Sequence, residues 1–242
     1  MPREHIGYLF WARRSDATTR RYVSRLFADA RRSLPDDRLL LFQDDAFQLN
    51  PEMTCSDAIR FHRMASDYRR SRDVKWLSEM VHLYRGPFVS GFELPKSPEY
   101  EAWVQVARRL WARDYLAVLH LLVEDAVGSF DDDLAIDSAR QYLQNDPLHE
   151  DMHRCLIELY GRRGDLSAAA EQYAICTELL CRKRGRLPSE STTTALESAQ
   201  RGTLRNADIV APTGHKRSFV ENRQRRRLWQ EPKVRRQKLV LS

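Results

Sequence analysis

The sequence predicts a mainly α-helical protein with one short β-hairpin near its amino end. Apolar residues recur at helical spacing through most of the 242 residues. Two short apolar runs on either side of an acidic turn at residues 39–49 depart from that spacing and indicate paired strands. Two later stretches repeat one pattern of small and apolar residues, which indicates a pair of similar helical units.

The repeat is clearest around Ala135 and Ala169, which lie 34 positions apart. The first stretch runs from residue 133 to Asp146-Pro147, and the second from residue 164 to residue 180. A 34-residue period with small residues at helix contacts is typical of tetratricopeptide-like helix pairs. We therefore expect a stack of helices that offers a surface to a partner.

A helix is predicted at residues 15–34, after a shorter buried element that ends at residues 6–11. Ser15 and Asp16 suit its start, and Leu34-Pro35 suits its end. Its apolar side consists of Tyr22, Val23, Leu26, Phe27, Ala30 and Leu34. Its opposite side is almost purely cationic and consists of Arg20, Arg21, Ser24, Arg25, Ala28, Arg31 and Arg32.

The hairpin pairs residues 39–42 with 46–49 across Gln43-Asp44-Asp45, and Asn50-Pro51 closes it. A helix followed by a hairpin is the second half of a winged helix, in which the helix enters the major groove of DNA. Further helices are predicted at 56–70, at 72–84, from Pro98 through residue 122, and at 191–200. Residues 206–214 are predicted to be a linker.

Positive charge is concentrated at the two ends of the chain. Residues 1–34 contain eight arginines and three acids, and residues 216–242 contain ten Lys or Arg and two acids, which gives +5 and +8. The whole chain is +6, so the region between them carries −7. Such ends attract polyphosphate backbones, although an arginine-rich solvated surface gives the same pattern.

The arginines of the predicted helix suit DNA, because a guanidinium donates two parallel hydrogen bonds to a guanine edge or a phosphate. We expect Arg20, Arg21, Ser24 and Arg25 to face the groove. Arg31 and Arg32 are expected to contact phosphates and so to position the helix without reading the base sequence. The alternative is a helix face that only meets solvent.

The segment His149-Glu150-Asp151-Met152-His153 matches the His-Glu-x-x-His pattern of zinc hydrolases. It follows Asp146-Pro147, which places it in the first turn of a helix, where an acid is favoured by the helix dipole. Downstream, Glu171 and Glu178 are the candidates for a third ligand. We therefore expect helix capping here, with no bound metal.

Composition gives no sign of a membrane or secreted protein. No run of about 18 apolar residues is present, and the first residues lack the apolar stretch of a secretory signal. The four cysteines form no Cys-x-x-Cys pair, and the neighbours of Cys155 and Cys176 suggest small core residues. We expect a cytoplasmic protein without disulfides or cofactors.

An ordered series of motifs resembles one known family. The motifs are LYRGPF at 83–88, SGF at 90–92, YEAW at 100–103, NDPLHE at 145–150, and Leu159-Tyr160 with Gly164-Asp165. Together they resemble the bacterial transcriptional activator domain of antibiotic-regulatory-type activators and larger ATP-binding regulators. The resemblance covers residues 55–202 and implies that residues 1–50 are the end of a winged helix.

Both ends differ from that pattern. A winged helix of this kind begins about 50 residues before its recognition helix, whereas about 14 residues precede Ser15 here. We therefore expect a partial winged helix whose apolar stripe lacks packing partners. Residues 203–242 are predicted to be a linker and a basic tail, or the start of an ATPase domain. No phosphate-binding glycine loop occurs, so no ATP binding is expected.

The resemblance implies a bacterial transcriptional regulator and not an enzyme. Double-stranded DNA would be its partner through the winged helix. The helical domain would support homodimer formation or contact with RNA polymerase. The alternative is a helical-repeat module that binds a protein and has no DNA binding.

Overall fold

The computed structural model describes residues 1–50, 52–202, 209 and 212 and is mainly helical, as the sequence predicts. Two strands, β1 (Leu40–Gln43) and β2 (Ala46–Leu49), follow a short 3-10 helix at Asp37–Leu39. The α-helices are α1 (Arg3–Trp11), α2 (Asp16–Ser33), α3 (Asp57–Ser71), α4 (Lys75–Leu83), α5 (Pro98–Gly128), α6 (Asp132–Asn145), α7 (Glu150–Arg162), α8 (Leu166–Arg184) and α9 (Glu190–Gln200).

The described residues divide into two compact units. The first unit contains Met1–Arg60 and Gly86–Arg109, and the second contains Phe61–Arg85 and the residues described from Leu110 onward. Helices α3 and α5 therefore each contribute residues to both units. The predicted linker at 206–214 (except for Ile209 and Pro212) and the basic tail lie outside the described residues, as does Pro51.

In the first unit, the hairpin forms because its turn suits a tight reversal. Asp44 and Asp45 have φ angles of 52° and 54°, which allow a two-residue turn between antiparallel strands. Leu40 pairs with Leu49, and Phe42 with Phe47, so these four side chains share one face. The N-terminal residues add to the outer edge of β2, because Phe47 N donates to Met1 O at 2.9 Å.

A second cluster of the first unit involves the start of α5. Leu9 is buried together with Tyr100 and Val104, and Phe10 stacks on Tyr100. Arg108 donates to the carbonyl oxygens of Phe88 and Val89 at 3.0 and 2.9 Å. That side chain thereby holds the loop that precedes α5.

The second unit shows the predicted repeat. Asp131 and Asp165, 34 positions apart, cap α6 and α8 by accepting from the backbone N–H groups three residues later. Ala135 and Ala169 are both fully buried at equivalent contacts. Helix α7 packs against α6, α8 and α9, and its residues from Met152 to Tyr160 are all buried.

Specific residues end α8 and suit α9 to a terminal position in the repeat stack. Gly185 ends α8 in the left-handed region, with a φ of 63°, where glycine has no Cβ penalty. Helix α9 buries Thr192, Ala195 and Ala199 and exposes polar residues on its other side, as a terminal helix of a repeat stack requires.

The predicted burial of Cys155 and Cys176 is confirmed, and the start of one helix differs from its prediction. All four cysteines are free thiols. Helix α4 begins at Lys75 rather than at 72, because Arg72 has a φ of 56° and Asp73 accepts from Lys75 N. Within the described residues, no helix has the length and apolar character needed to cross a membrane.

Candidate nucleic-acid interface

Helix α2 is held in the first unit on two sides. A methyl group of Thr19 lies so close to Gly7 of α1 that a Cβ at Gly7 would meet it at 2.5 Å. Val23 is 1% exposed, and Phe27 stacks on Phe47 of the hairpin. The apolar stripe thus has packing partners within this chain, where the sequence suggested that they were missing.

Part of that stripe is nevertheless open to solvent. Tyr22 and Leu26 are each 39% exposed, and the Tyr22 ring contacts the Trp11 ring. On the hairpin, Phe42 and Leu49 are 47% and 50% exposed. Val23 is the one α2 residue that is buried among those described.

The five predicted arginines, Arg20, Arg21, Arg25, Arg31 and Arg32, are all exposed. At about 100° per residue they lie within an arc of about 140° whose centre is about 130° from Val23, and they extend along about 18 Å of helix. We call this surface the arginine face. Its centre is Ala28, a small exposed residue, so a duplex could approach the helix backbone between the guanidinium groups.

Ser24 lies in the arginine face but its hydroxyl is already engaged. Its Oγ donates to the Arg20 carbonyl oxygen at 2.9 Å and accepts from Nη2 of Arg3. The same Nη2 donates to the Arg20 carbonyl oxygen at 3.2 Å. Arg3 of α1 therefore adds a sixth guanidinium to the face. The sequence pattern of α2 did not indicate it, because Arg3 lies 21 residues before Ser24.

One acid borders the arginine face. Asp29 forms ion pairs with Arg25, at 3.8 Å, and with Arg32. The Arg25 and Arg32 side chains remain 82% and 77% exposed, so water screens both pairs. In the described part of the chain, Arg20, Arg21 and Arg31 have no acid within the 4.0 Å of an ion pair.

The hairpin presents a different surface from α2. Asp44 and Asp45 at its turn are exposed and acidic, and Gln43 and Gln48 are exposed beside them. Carboxylates repel phosphate, whereas amide side chains can donate to it. A nucleic acid beside this hairpin would therefore meet glutamine side chains rather than the turn.

Comparison with known proteins assigns the family. The model of the bacterial transcriptional activator domain family matches residues 57–199, which is 143 of the 242 residues. The chain belongs to this family. Membership makes it a bacterial transcription regulator of the activator class. A search among curated proteins gives no match.

The His149-to-His153 segment of the activator domain is a helix start. His149 caps α7, with its Nδ1 accepting from Met152 N at 3.3 Å. The Nε2 of His153 lies 3.0 Å from Pro147 O, so this nitrogen carries the proton, and the other ring nitrogen accepts from Gln172. Burial lowers the pKa of His153, which keeps it neutral.

Glu150 of the same segment joins α7 to the turn before α9. Its carboxylate accepts from Ser189 N and Thr192 Oγ1 and pairs with Arg186 at 2.7 Å. Burial alone would raise the pKa of Glu150, but these hydrogen bonds outweigh it and lower the pKa to about 2. The described residues contain no cluster of three or more His, Cys, Asp or Glu suited to a metal.

Two tyrosines of the activator domain, Tyr115 and Tyr142, are core residues. Tyr142 is fully buried, and its ring contacts His149. Tyr115 stacks on Tyr84 and donates its hydroxyl to Gln141. Large apolar rings at these contacts stabilise the fold and leave the arginine face as the candidate site.

Proposed function

We propose that this regulator binds double-stranded DNA through α2, with the hairpin β1–β2 as the wing of a partial winged helix. The observation that carries the proposal is the arginine face, which is exposed along α2 while the opposite side packs on α1 and Phe47. A rigid helix with guanidinium groups on its outer side suits the major groove.

The free arginines set the expected salt dependence. If Arg20, Arg21 and Arg31 each neutralise one phosphate, together they contribute about −2.7 to the slope of log K against log salt. These three contacts alone would account for about a 40-fold drop in affinity between roughly 50 and 200 mM salt. Ser24 is assigned a bracing role rather than base contact, because both of its hydrogen-bonding directions are occupied within the protein.

The test is fluorescence anisotropy with a labelled duplex and the full chain. Arg20→Ala/Arg21→Ala should make the slope shallower by about 1.8, because two phosphate contacts are lost. The matched control is Arg182→Ala/Arg184→Ala on α8, which removes the same charge from exposed positions of the second unit. Equal slopes for the two double variants would refute the assignment of α2.

The second unit is proposed to support homodimer formation or contact with RNA polymerase, in the cytoplasm. We propose no enzymatic activity, because the matched family is one of transcriptional activators. Sedimentation of the full chain over a concentration series tests self-association. A constant monomer mass at all concentrations would leave polymerase contact as its role.

A second candidate is a protein-interaction module without DNA binding. The observation that favours it is the open part of the apolar stripe, where Tyr22 and Leu26 are each 39% exposed. In that case duplex binding would be absent at about 50 mM salt, where the DNA-binding proposal gives its strongest signal.

A further inference from the structure

The ion pairs of Asp29 divide the arginine face into two groups. Arg25 and Arg32 lie on either side of Asp29 along α2 and contact its carboxylate. Arg20, Arg21 and Arg31 have no such partner in the described region, so they can bind phosphate without first breaking an ion pair.

We propose that Asp29 limits the affinity of the arginine face for the phosphate backbone by holding Arg25 and Arg32. This inference rests on the proposed function and adds a residue that determines its strength. A phosphate that approaches Arg25 or Arg32 must displace the carboxylate, and the carboxylate also repels it. Backbone contacts carry no sequence information, so Asp29 would lower the affinity for specific and non-specific sites alike.

The alternative role for Asp29 is helix stability. Arg25 precedes Asp29 by four residues, which is the weaker order for such a pair, since the reverse order agrees with the helix dipole. Both arginine side chains are about four-fifths exposed and Asp29 is 48% exposed, so the pairs contribute little to folding. A purely structural Asp29 would lower stability when neutralised and would not raise DNA affinity.

The experiment measures duplex binding by Asp29→Asn in the full chain. The expected result is an affinity about three- to tenfold higher at roughly 100 mM salt, with a slope steeper by about one to two, because two more arginines reach phosphates. The matched control is Asp37→Asn, which removes one exposed acid from the same unit and has no ion pair with α2. Its affinity should change less than about twofold, since screening weakens distant charges.

A double-mutant cycle isolates the cause. In the Arg25→Ala/Arg32→Ala background, Asp29→Asn should give a smaller gain than in the parent chain, because only the repulsion between the carboxylate and the phosphate is then removed. Equal gains from the two acid substitutions in the parent chain would overturn the inference and leave the proposed function intact. A parent chain that binds no duplex at low salt would overturn both. Circular dichroism should show a slightly lower Tm for Asp29→Asn, opposite in direction to its affinity.

Discussion

Replacing Gly7 with alanine should push α1 away from α2 and destabilise the first unit. The new Cβ would lie 2.5 Å from the Thr19 Cγ2 methyl and 3.6 Å from a Val23 methyl. Carbon atoms prefer about 3.5–4.0 Å, so the two helices must separate by about 1 Å or Thr19 must change rotamer. Thr19 is β-branched and has few rotamers available in a helix, so a change of its rotamer is unfavourable.

The size of the effect follows from two opposing contributions. Overpacking a close contact costs about 1–3 kcal/mol. Alanine in place of glycine inside a helix raises the free energy of unfolding by about 0.5–1 kcal/mol. The net expectation is a loss of about 0.5–2 kcal/mol in the free energy of unfolding of the first unit.

Hydrogen exchange with mass spectrometry is the suitable assay, because a chain with two units need not unfold in one transition. Peptides from α1 and α2 should exchange about fivefold faster for each kcal/mol lost, while peptides from α7 stay unchanged. The control is Gly128→Ala at the end of α5, where a Cβ would meet nothing within 4 Å. If both variants were equally stabilised, the close packing behind the arginine face would be wrong.

Two further predictions concern the second unit. Glu150→Gln should lower the free energy of unfolding near pH 7. The difference from the parent should shrink as the pH falls from about 4.5 towards 2, because the lowered pKa contributes stability only while the carboxylate is charged. Urea unfolding at several pH values measures this difference, and a difference that does not depend on pH would contradict the prediction. Iodoacetamide should label Cys55 and Cys181 in the folded protein and spare Cys155 and Cys176, where burial raises the pKa of each thiol to about 12. Mass spectrometry reads the labelled sites, all four should react in denaturant, and rapid native labelling of Cys155 would refute its placement in the core.

Periodic features of the fold were predictable from the sequence. The 34-residue spacing of Ala135 and Ala169 reflects equal helix contacts, and the structure buries both residues. The hairpin turn was predictable from Asp44-Asp45, because aspartate tolerates the left-handed backbone that the turn needs. Such features depend on local chemistry that each segment carries by itself.

Features that depend on distant residues were not predictable. The hydrogen bond between Arg3 and Ser24 joins two helices and engages the Ser24 hydroxyl, which the sequence analysis expected to face the groove. Helix α5 also buries Asp114 and His120, at 2% and 0% exposure, although an apolar stripe predicts polar residues outside. A helix enclosed on several sides must bury some polar groups, and its sequence alone does not show which ones.

The enclosure of α7 restricts how the second unit can meet another macromolecule. Since the segment from Met152 to Tyr160 is buried throughout, none of it is accessible to a binding partner. Outward side chains of the neighbouring helix α8, such as Leu166 and Ile175, are 45% and 41% exposed and are available for recognition. Mutagenesis that searches for the surface contacted by a polymerase or a second copy of the chain should therefore leave α7 unchanged.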